Sequence, residues 1–136
     1  MSGASFLDTN ILVYAYDPDQ KNKHPIAQRI LRDAVSGVGT ISTQVLGEFA
    51  SVFLHKLKAH PKSVATALAA FDAIHTVHAD SSLFRRALDA HARYGLHFYD
   101  GLIIAAAERA RCVRIWSEDM NPGQTYFGVT VENPFV

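Results

Sequence analysis

This chain of 136 residues lacks the features that mark several protein classes. Its one cysteine, Cys112, excludes an internal disulfide and a zinc site built from clustered cysteines. Its longest unbroken apolar runs, such as 102–107, are far shorter than the roughly 20 residues of a membrane-spanning helix. Residues 1–5 lack the charged and apolar regions of a signal peptide. We therefore expect a soluble, cytoplasmic protein with no membrane partner.

An excess of charge of either sign is also absent. Thirteen Lys and Arg residues balance thirteen Asp and Glu residues, so the formal net charge is zero. A neutral chain has no overall attraction to nucleic acid, and a polyanion would have to be held by a local basic patch or through bound cations. The length fits one domain, residues 1–136, that is large enough to bury a proper core.

Short β-type runs alternate with longer helical runs along the chain. This alternation predicts an α/β fold with a central, mostly parallel β-sheet flanked by helices. The expected strands are 5–7, 40–42, 76–78, 113–116 and 130–132. The expected helices are 11–16, 25–35, 43–57, 61–75, 82–94 and 99–111. Ligands of such sheets bind beyond the carboxyl ends of the strands, where Asp8 and Asp119 both fall.

Four acidic residues lie beside apolar segments, and they are Asp8, Glu48, Asp100 and Asp119. A carboxylate next to buried apolar surface loses hydration worth several kcal/mol unless a cap, a basic partner or a metal ion compensates it. For Asp8, two interpretations stay open. The segment Asp8-Thr9-Asn10 suits a helix N-cap, and it also forms a dense oxygen site of the kind that a hard cation such as Mg²⁺ selects.

Helical geometry distinguishes the two middle acids. A rotation of 100° per residue places Glu48 roughly 90° from the centre of the buried face of its helix, with no basic partner four residues away. The same rotation places Asp100 on an apolar face with Ile103 and Ile104. Capping and helix-dipole effects are worth about 0.3–2 kcal/mol, too little to compensate a fully desolvated carboxylate. We therefore expect Asp100 to face a cation or a partly wet cleft.

The last acid lies in Ser117-Glu118-Asp119, directly after a predicted strand. Alternation along the strand puts Ser117 and Asp119 on the same side, while Glu118 remains an alternative to Asp119. Four carboxylates at one end of a sheet repel one another, which raises their pKa values unless a divalent cation neutralises them. The set predicts Mg²⁺ or Mn²⁺ that activates water for attack on a phosphodiester.

Four segments, taken in order, resemble the PIN domain and, within that family, the VapC-type toxins of toxin–antitoxin pairs. They are Phe6-Leu7-Asp8-Thr9-Asn10, the helix from Ser42 to Phe49, Tyr99 to Ala107, and Ser117-Glu118-Asp119. The resemblance extends over essentially the whole chain. It implies a three-layer PIN-like fold and an endoribonuclease that depends on Mg²⁺ or Mn²⁺.

Specific residues follow from this resemblance. The implied catalytic residues are Asp8, Glu48, Asp100 and Asp119, the implied metal ligands are Asp8, Asp100 and Asp119, and the implied polar support is Asn10 and Ser117. The resemblance also implies an RNA substrate, a homodimer and a cognate VapB-type antitoxin that plugs the active site. The chain departs from the common pattern after the last acid, where Met120 stands at a position that is often Phe.

Other interpretations remain open or are excluded by particular residues. A receiver-like signalling domain would need adjacent acids after the first strand and a lysine after the last core strand, but Thr9 and Asn10 follow Asp8 and no lysine follows Lys62. Zinc at His75 and His78 lacks a third ligand. A non-toxin PIN-domain nuclease, a nuclease that cuts DNA, and a catalytically silent nucleic-acid-binding module stay open. His91 and His97 are candidate substrate contacts near Asp100.

Overall fold

The computed structural model describes residues 4–136, and within them six strands form one sheet. The strands are β1 (Ser5–Leu7), β2 (Gly39–Ser42), β3 (His75–Val77), β4 (Arg114–Trp116), β5 (Thr125–Tyr126) and β6 (Val129–Glu132). Their order across the sheet is β3-β2-β1-β4-β6-β5, and every neighbouring pair is parallel except β5 with β6. This topology confirms the mostly parallel sheet that the sequence predicts, with β1 at its centre.

Six α-helices connect and flank the strands in the described part of the chain. They are α1 (Thr9–Ala15), α2 (Lys23–Asp33), α3 (Thr43–Ser51), α4 (Pro61–Phe71), α5 (Ser81–Tyr94) and α6 (Phe98–Arg109). A wide turn over Ala34–Val38, in which Gly37 has a φ of 113°, follows α2. A π-helical turn over Val52–Lys56 continues α3. No helix in residues 4–136 is both long and apolar enough to cross a membrane.

Most elements lie within two residues of their predicted bounds, and three departures are larger or differ in kind. Helix α4 ends at Phe71, four residues before the predicted end, because Ile74 is buried in the core at the entry to β3. The predicted helix 43–57 is α3 with a π-helical turn behind it. The sequence pattern missed β5, which pairs with β6 through a two-residue turn at Phe127 and Gly128, both of positive φ.

The packing brings α6 into the middle of the molecule. Phe6, Ile41 and Ile115, one from each of three adjacent strands, are completely buried. All seven residues 101–107 of α6 are buried as well, so this helix is surrounded by protein rather than covered on one face. An α-helix that is apolar all round is buried in this way. The buried position of α6 holds its first turn, with Asp100, close to the ends of the strands.

Candidate active site

An open cavity of about 610 Å³ collects the four acids that the sequence singles out. Asp8 reaches it from the end of β1, Glu48 from α3, Asp100 from the first turn of α6, and Asp119 from the loop after β4. Asn10 also lines the cavity. Ser117 does not line it but is buried beneath Asp8. The topology of the sheet therefore brings together residues that are up to 111 positions apart, Asp8 and Asp119.

Asp8 is both a helix cap and a wall of the cavity. Its Oδ1 accepts a hydrogen bond of 2.8 Å from the backbone amide of Thr9, and its Oδ2 accepts one of 2.7 Å from the Ser117 hydroxyl. Burial raises the pKa of Asp8 to about 6, although the hydrogen bonds from Ser117 and Thr9 lower it, and the charges of Glu48 and Asp119 raise it further. Capping alone leaves this desolvated carboxylate only partly compensated.

Glu48 is exposed and is held by neutral hydrogen-bond donors. Its Oε1 accepts a hydrogen bond of 2.6 Å from the Thr9 hydroxyl, and the amide of Gln44 lies 3.4 Å from its Oε2. The same Gln44 amide donates to the backbone carbonyl of Tyr99 at 3.2 Å. Glu48 therefore connects α3 to the start of α1, and Gln44 connects α3 to α6.

Asp100 is half-buried in the first turn of α6, at the cavity wall beside Ile103. The carboxylates of Asp8, Glu48 and Asp119 accept hydrogen bonds. No group within residues 4–136 donates one to the carboxylate of Asp100. Burial raises the pKa of Asp100, His97 opposes this effect, and the charges of Glu48 and Asp119 add to it. The expected partly wet position is therefore observed, whereas complete desolvation is not.

Asp119 and Glu118 point to different surroundings. Asp119 lines the cavity, where its Oδ2 accepts a hydrogen bond of 2.9 Å from the Asn10 amide. Glu118 does not line the cavity. It is bound instead by the hydroxyl of Tyr14 and by Nζ of Lys23 at 2.9 Å. Of the two acids that the sequence left as alternatives, Asp119 is the one in the cavity.

The donor atoms suit a hard divalent cation, but they do not yet converge on one point. In the described part of the chain, no three His, Cys, Asp or Glu side chains are arranged to hold an ion as they stand. Two buried oxygens next to the acids, Asn10 Oδ1 and Gln44 Oε1, have no hydrogen-bond partner among residues 4–136. An all-oxygen donor set is the one that Mg²⁺ and Mn²⁺ prefer. Binding of an ion would require the carboxylates to turn toward one point.

Several other polar residues have structural roles away from the cavity. His91 contacts the carbonyl of Leu96 at 2.6 Å, and His97 caps α6 by accepting from the amide of Tyr99. Neither histidine lines the cavity, so the expected substrate contacts gain no support from its geometry. Three arginines of the second half are paired with acids, and the pairs are Arg86 with Glu108, Arg109 with Asp80, and Arg114 with Glu132.

Two polar residues, Gln44 and Lys56, are among the cavity residues that the interpretation of the sequence did not select as site candidates. Gln44 and Lys56 lie four residues before and eight residues after Glu48, and both line the cavity. Helical spacing of four residues is the signal that would have selected Gln44. The same spacing does not select Lys56, because a π-helical turn lies between it and Glu48.

Comparisons with known proteins agree with this architecture. A family model described as the PIN domain matches residues 5–127. The fold is similar to the crystal structure of Mycobacterium tuberculosis VapC20, a Sarcin-Ricin loop cleaving toxin, with a TM-score of 0.70 and 18% identity over 87% of this chain and 92% of that one. It is also similar to the structure of FitAB bound to an IR36 DNA fragment, with a TM-score of 0.69 and 19% identity over 97% and 96%. A search of curated proteins found no match.

Proposed function

The chain belongs to the PIN domain family, and on that premise we propose that it is a metal-dependent endoribonuclease that hydrolyses RNA phosphodiester bonds. One observation carries the proposal. Asp8, Glu48, Asp100 and Asp119 line one open cavity, and the pKa values of Asp8 and Asp100 are raised by burial and by the charges of Glu48 and Asp119. Acids whose pKa is raised by neighbouring carboxylates in a cleft are typical of a site that works with a bound cation.

Asp8, Asp100 and Asp119 would hold Mg²⁺ or Mn²⁺ in this proposal. When bound, the ion supplies an activated water and neutralises charge on the phosphate. Ser117 keeps Asp8 oriented by its hydrogen bond, and Asn10 does the same for Asp119. Both contacts restrict the ligands to a small range of positions before the ion arrives, which lowers the cost of assembling the site.

Glu48 has a different position from the three proposed ligands. It is exposed at the cavity wall, where Thr9 and Gln44 hold its carboxylate. An accessible carboxylate can accept a proton from an attacking water molecule. We assign this general-base role to Glu48.

The biological role we propose is that of the toxin in a VapBC-type toxin–antitoxin pair. The motifs resemble VapC-type toxins, and the fold is similar to that of VapC20. We further propose one PIN-like domain over residues 1–136, a cytoplasmic homodimer, and a VapB-type antitoxin. An antitoxin segment with Arg or Lys would pair with the carboxylates of the cavity through charge-assisted hydrogen bonds and would exclude RNA.

The test of the activity uses stem-loop RNA, including a sarcin-ricin-type hairpin, incubated with Mg²⁺, with Mn²⁺ or with chelator. We expect cleavage with either ion and none in chelator. Asp100→Asn should remove cleavage, because metal-bound charge contributes several kcal/mol and each 1.4 kcal/mol is about tenfold in rate. Asp17→Asn is the matched control, since Asp17 also lines the cavity but is not a proposed ligand.

Three outcomes separate the alternatives. Cleavage that persists in chelator would show that metal is not needed. RNA binding without cleavage under any condition would favour a silent nucleic-acid-binding module. If a DNA-binding protein encoded by an adjacent short reading frame forms a complex that cleaves RNA as fast as the free chain, the toxin role is wrong while the nuclease activity stands.

A further inference from the structure

One basic side chain in the cavity has no assigned role. Of the described residues that line the cavity, Lys56 is the only lysine or arginine. Five acids share that lining, and they are Asp8, Asp17, Glu48, Asp100 and Asp119. Lys56 is exposed, and within residues 4–136 it belongs to no salt bridge, although those residues contain five. Its ammonium group therefore remains available to a ligand.

The π-helical turn after α3 explains why Lys56 reaches the cavity. In an uninterrupted α-helix, eight residues advance 800°, so Lys56 would lie about 80° round the helix from Glu48. The turn over Val52–Lys56 closes with a hydrogen bond of 3.1 Å from the Leu57 amide to the Val52 carbonyl, a spacing of five residues. A wider turn rotates less per residue, which brings Lys56 back toward the line of Glu48.

We propose that Lys56 forms a phosphate subsite that holds the RNA backbone away from the bond being cut. The inference rests on the proposed function and deepens it. A chain of zero net charge has no overall attraction for RNA, and five carboxylates in the cleft repel it. An unpaired ammonium at the cleft wall supplies the missing attraction, and the phosphate in turn supplies a partner for Lys56.

The position of Lys56 sets which phosphate it contacts. Eight helical residues separate it from Glu48, a rise of about 12 Å in an α-helix and somewhat less across a π-helical turn. This distance exceeds the rise of about 3.4 Å per nucleotide along one strand of a duplex. Lys56 therefore holds a phosphate other than the one at the bond being cut, and it acts on substrate binding rather than on the chemical step.

The experiment compares Lys56→Gln, which keeps most of the aliphatic stem, with Lys56→Arg, which keeps the charge. Lys62→Ala is the matched control, because Lys62 is an exposed lysine of α4 that does not line the cavity. Steady-state RNA cleavage is measured for each variant with Mg²⁺ over a range of monovalent salt. We expect Lys56→Gln to raise KM about 3- to 10-fold with little change in kcat. The slope of log(kcat/KM) against log[salt] should become shallower by about 0.7.

Lys56→Arg should restore most of the wild-type KM, and Lys62→Ala should match the wild type in both quantities. An unchanged KM and salt slope for Lys56→Gln, in a protein that cleaves RNA normally, would overturn the subsite and leave the nuclease proposal intact. A fall in kcat at constant KM would also overturn it, because Lys56 would then act on the chemical step. A wild-type chain that neither binds nor cleaves RNA would overturn both proposals.

Discussion

Lys23 and Glu118 form a salt bridge of 2.9 Å, and Glu118 immediately precedes Asp119 in the sequence. The hydroxyl of Tyr14 also donates to Glu118, and the ring of Tyr14 packs edge-on against Phe135 with a centroid distance of 5.3 Å. The contacts join α1, α2 and the loop after β4. Because Glu118 is bonded covalently to Asp119, a fixed Glu118 side chain restricts where the Asp119 carboxylate can lie.

We therefore expect Lys23→Met to lower RNA cleavage and to weaken Mg²⁺ binding with only a small change in melting temperature. Lys23→Arg should rescue both properties, since it restores a cation next to Glu118. Arg109→Met is the control, because the bridge from Arg109 to Asp80 involves a cation that is equally exposed, at 37% of its side chain. If the Arg109 variant loses as much activity as the Lys23 variant, the effect is general rather than directed at Asp119.

The fold could largely be predicted from periodicity, and the errors of that prediction have local causes. Ile74 follows Phe71 at a helical spacing of three residues, so periodicity alone cannot show where α4 ends and β3 begins. Strand β5 has only two residues, too few to display alternation. Its hairpin turn uses Phe127 and Gly128 rather than the Asn-Gly pair that marks such turns most clearly.

That Asp8 and Asp119 line one cavity could be predicted, because sheet topology brings strand ends together. The contacts that orient them could not. Thr9 bonds to Glu48 across 39 positions, and Lys23 bonds to Glu118 across 95. Both contacts depend on how α1 and α2 pack against neighbouring elements, and no local pattern encodes that packing. The π-helical turn that brings Lys56 into the cavity is equally invisible, because residues 52–56 keep an ordinary helical composition.

Metal binding should stabilise the folded chain. An ion that binds the native state at 100 times its Kd adds about 2.7 kcal/mol to the free energy of unfolding. We expect Mg²⁺ or Mn²⁺ at millimolar concentration to raise the melting temperature of the wild type and of Asp17→Asn, but not that of Asp8→Asn. Thermal melts with and without chelator measure this effect. An equal shift in Asp8→Asn would remove Asp8 from the ligand set.

Stability without metal should depend on pH through Asp8. Burial raises the pKa of Asp8 from 3.8 to about 6, so between these values the folded state binds more protons than the unfolded state. The free energy of unfolding should therefore fall as pH rises through this range, by about 3 kcal/mol over the whole titration from about pH 3 to about pH 7. Urea denaturation in chelator measures it. Asp8→Asn lacks this contribution and should gain stability over the wild type as pH rises, whereas parallel curves for the two proteins would contradict the shift.

Asp119 and Glu118 should respond differently to loss of charge. Asp119→Asn removes a proposed ligand that lines the cavity, so cleavage should fall by orders of magnitude and Mg²⁺ should no longer raise the melting temperature. Glu118→Gln keeps the shape of the side chain but removes the charge that Lys23 binds, so cleavage should fall far less. RNA cleavage and melts on both variants distinguish the roles. Larger damage from Glu118→Gln would reverse the assignment.

Two glycines, each next to a proposed catalytic acid, provide a paired test of how tightly the site is built. A Cβ on Gly101, beside Asp100, would lie 2.8 Å from the carbonyl oxygen of Ala87 and 3.4 Å from the Cβ of Ala90, so α6 would have to move away from α5. Forced overpacking of this kind costs about 1–3 kcal/mol. A Cβ on Gly47, beside Glu48, would meet no atom within 4 Å.

Gly101→Ala should therefore lower the free energy of unfolding and also reduce cleavage, because the displacement of α6 carries Asp100 with it. Gly47→Ala should raise stability by about 0.5–1 kcal/mol, since alanine is the better helix former, and should leave cleavage unchanged. Urea denaturation and RNA cleavage rates, measured on the same preparations, give both quantities. If Gly101→Ala proves destabilised but fully active, the position of Asp100 tolerates movement of α6, and its assignment as a closely positioned metal ligand would have to be withdrawn.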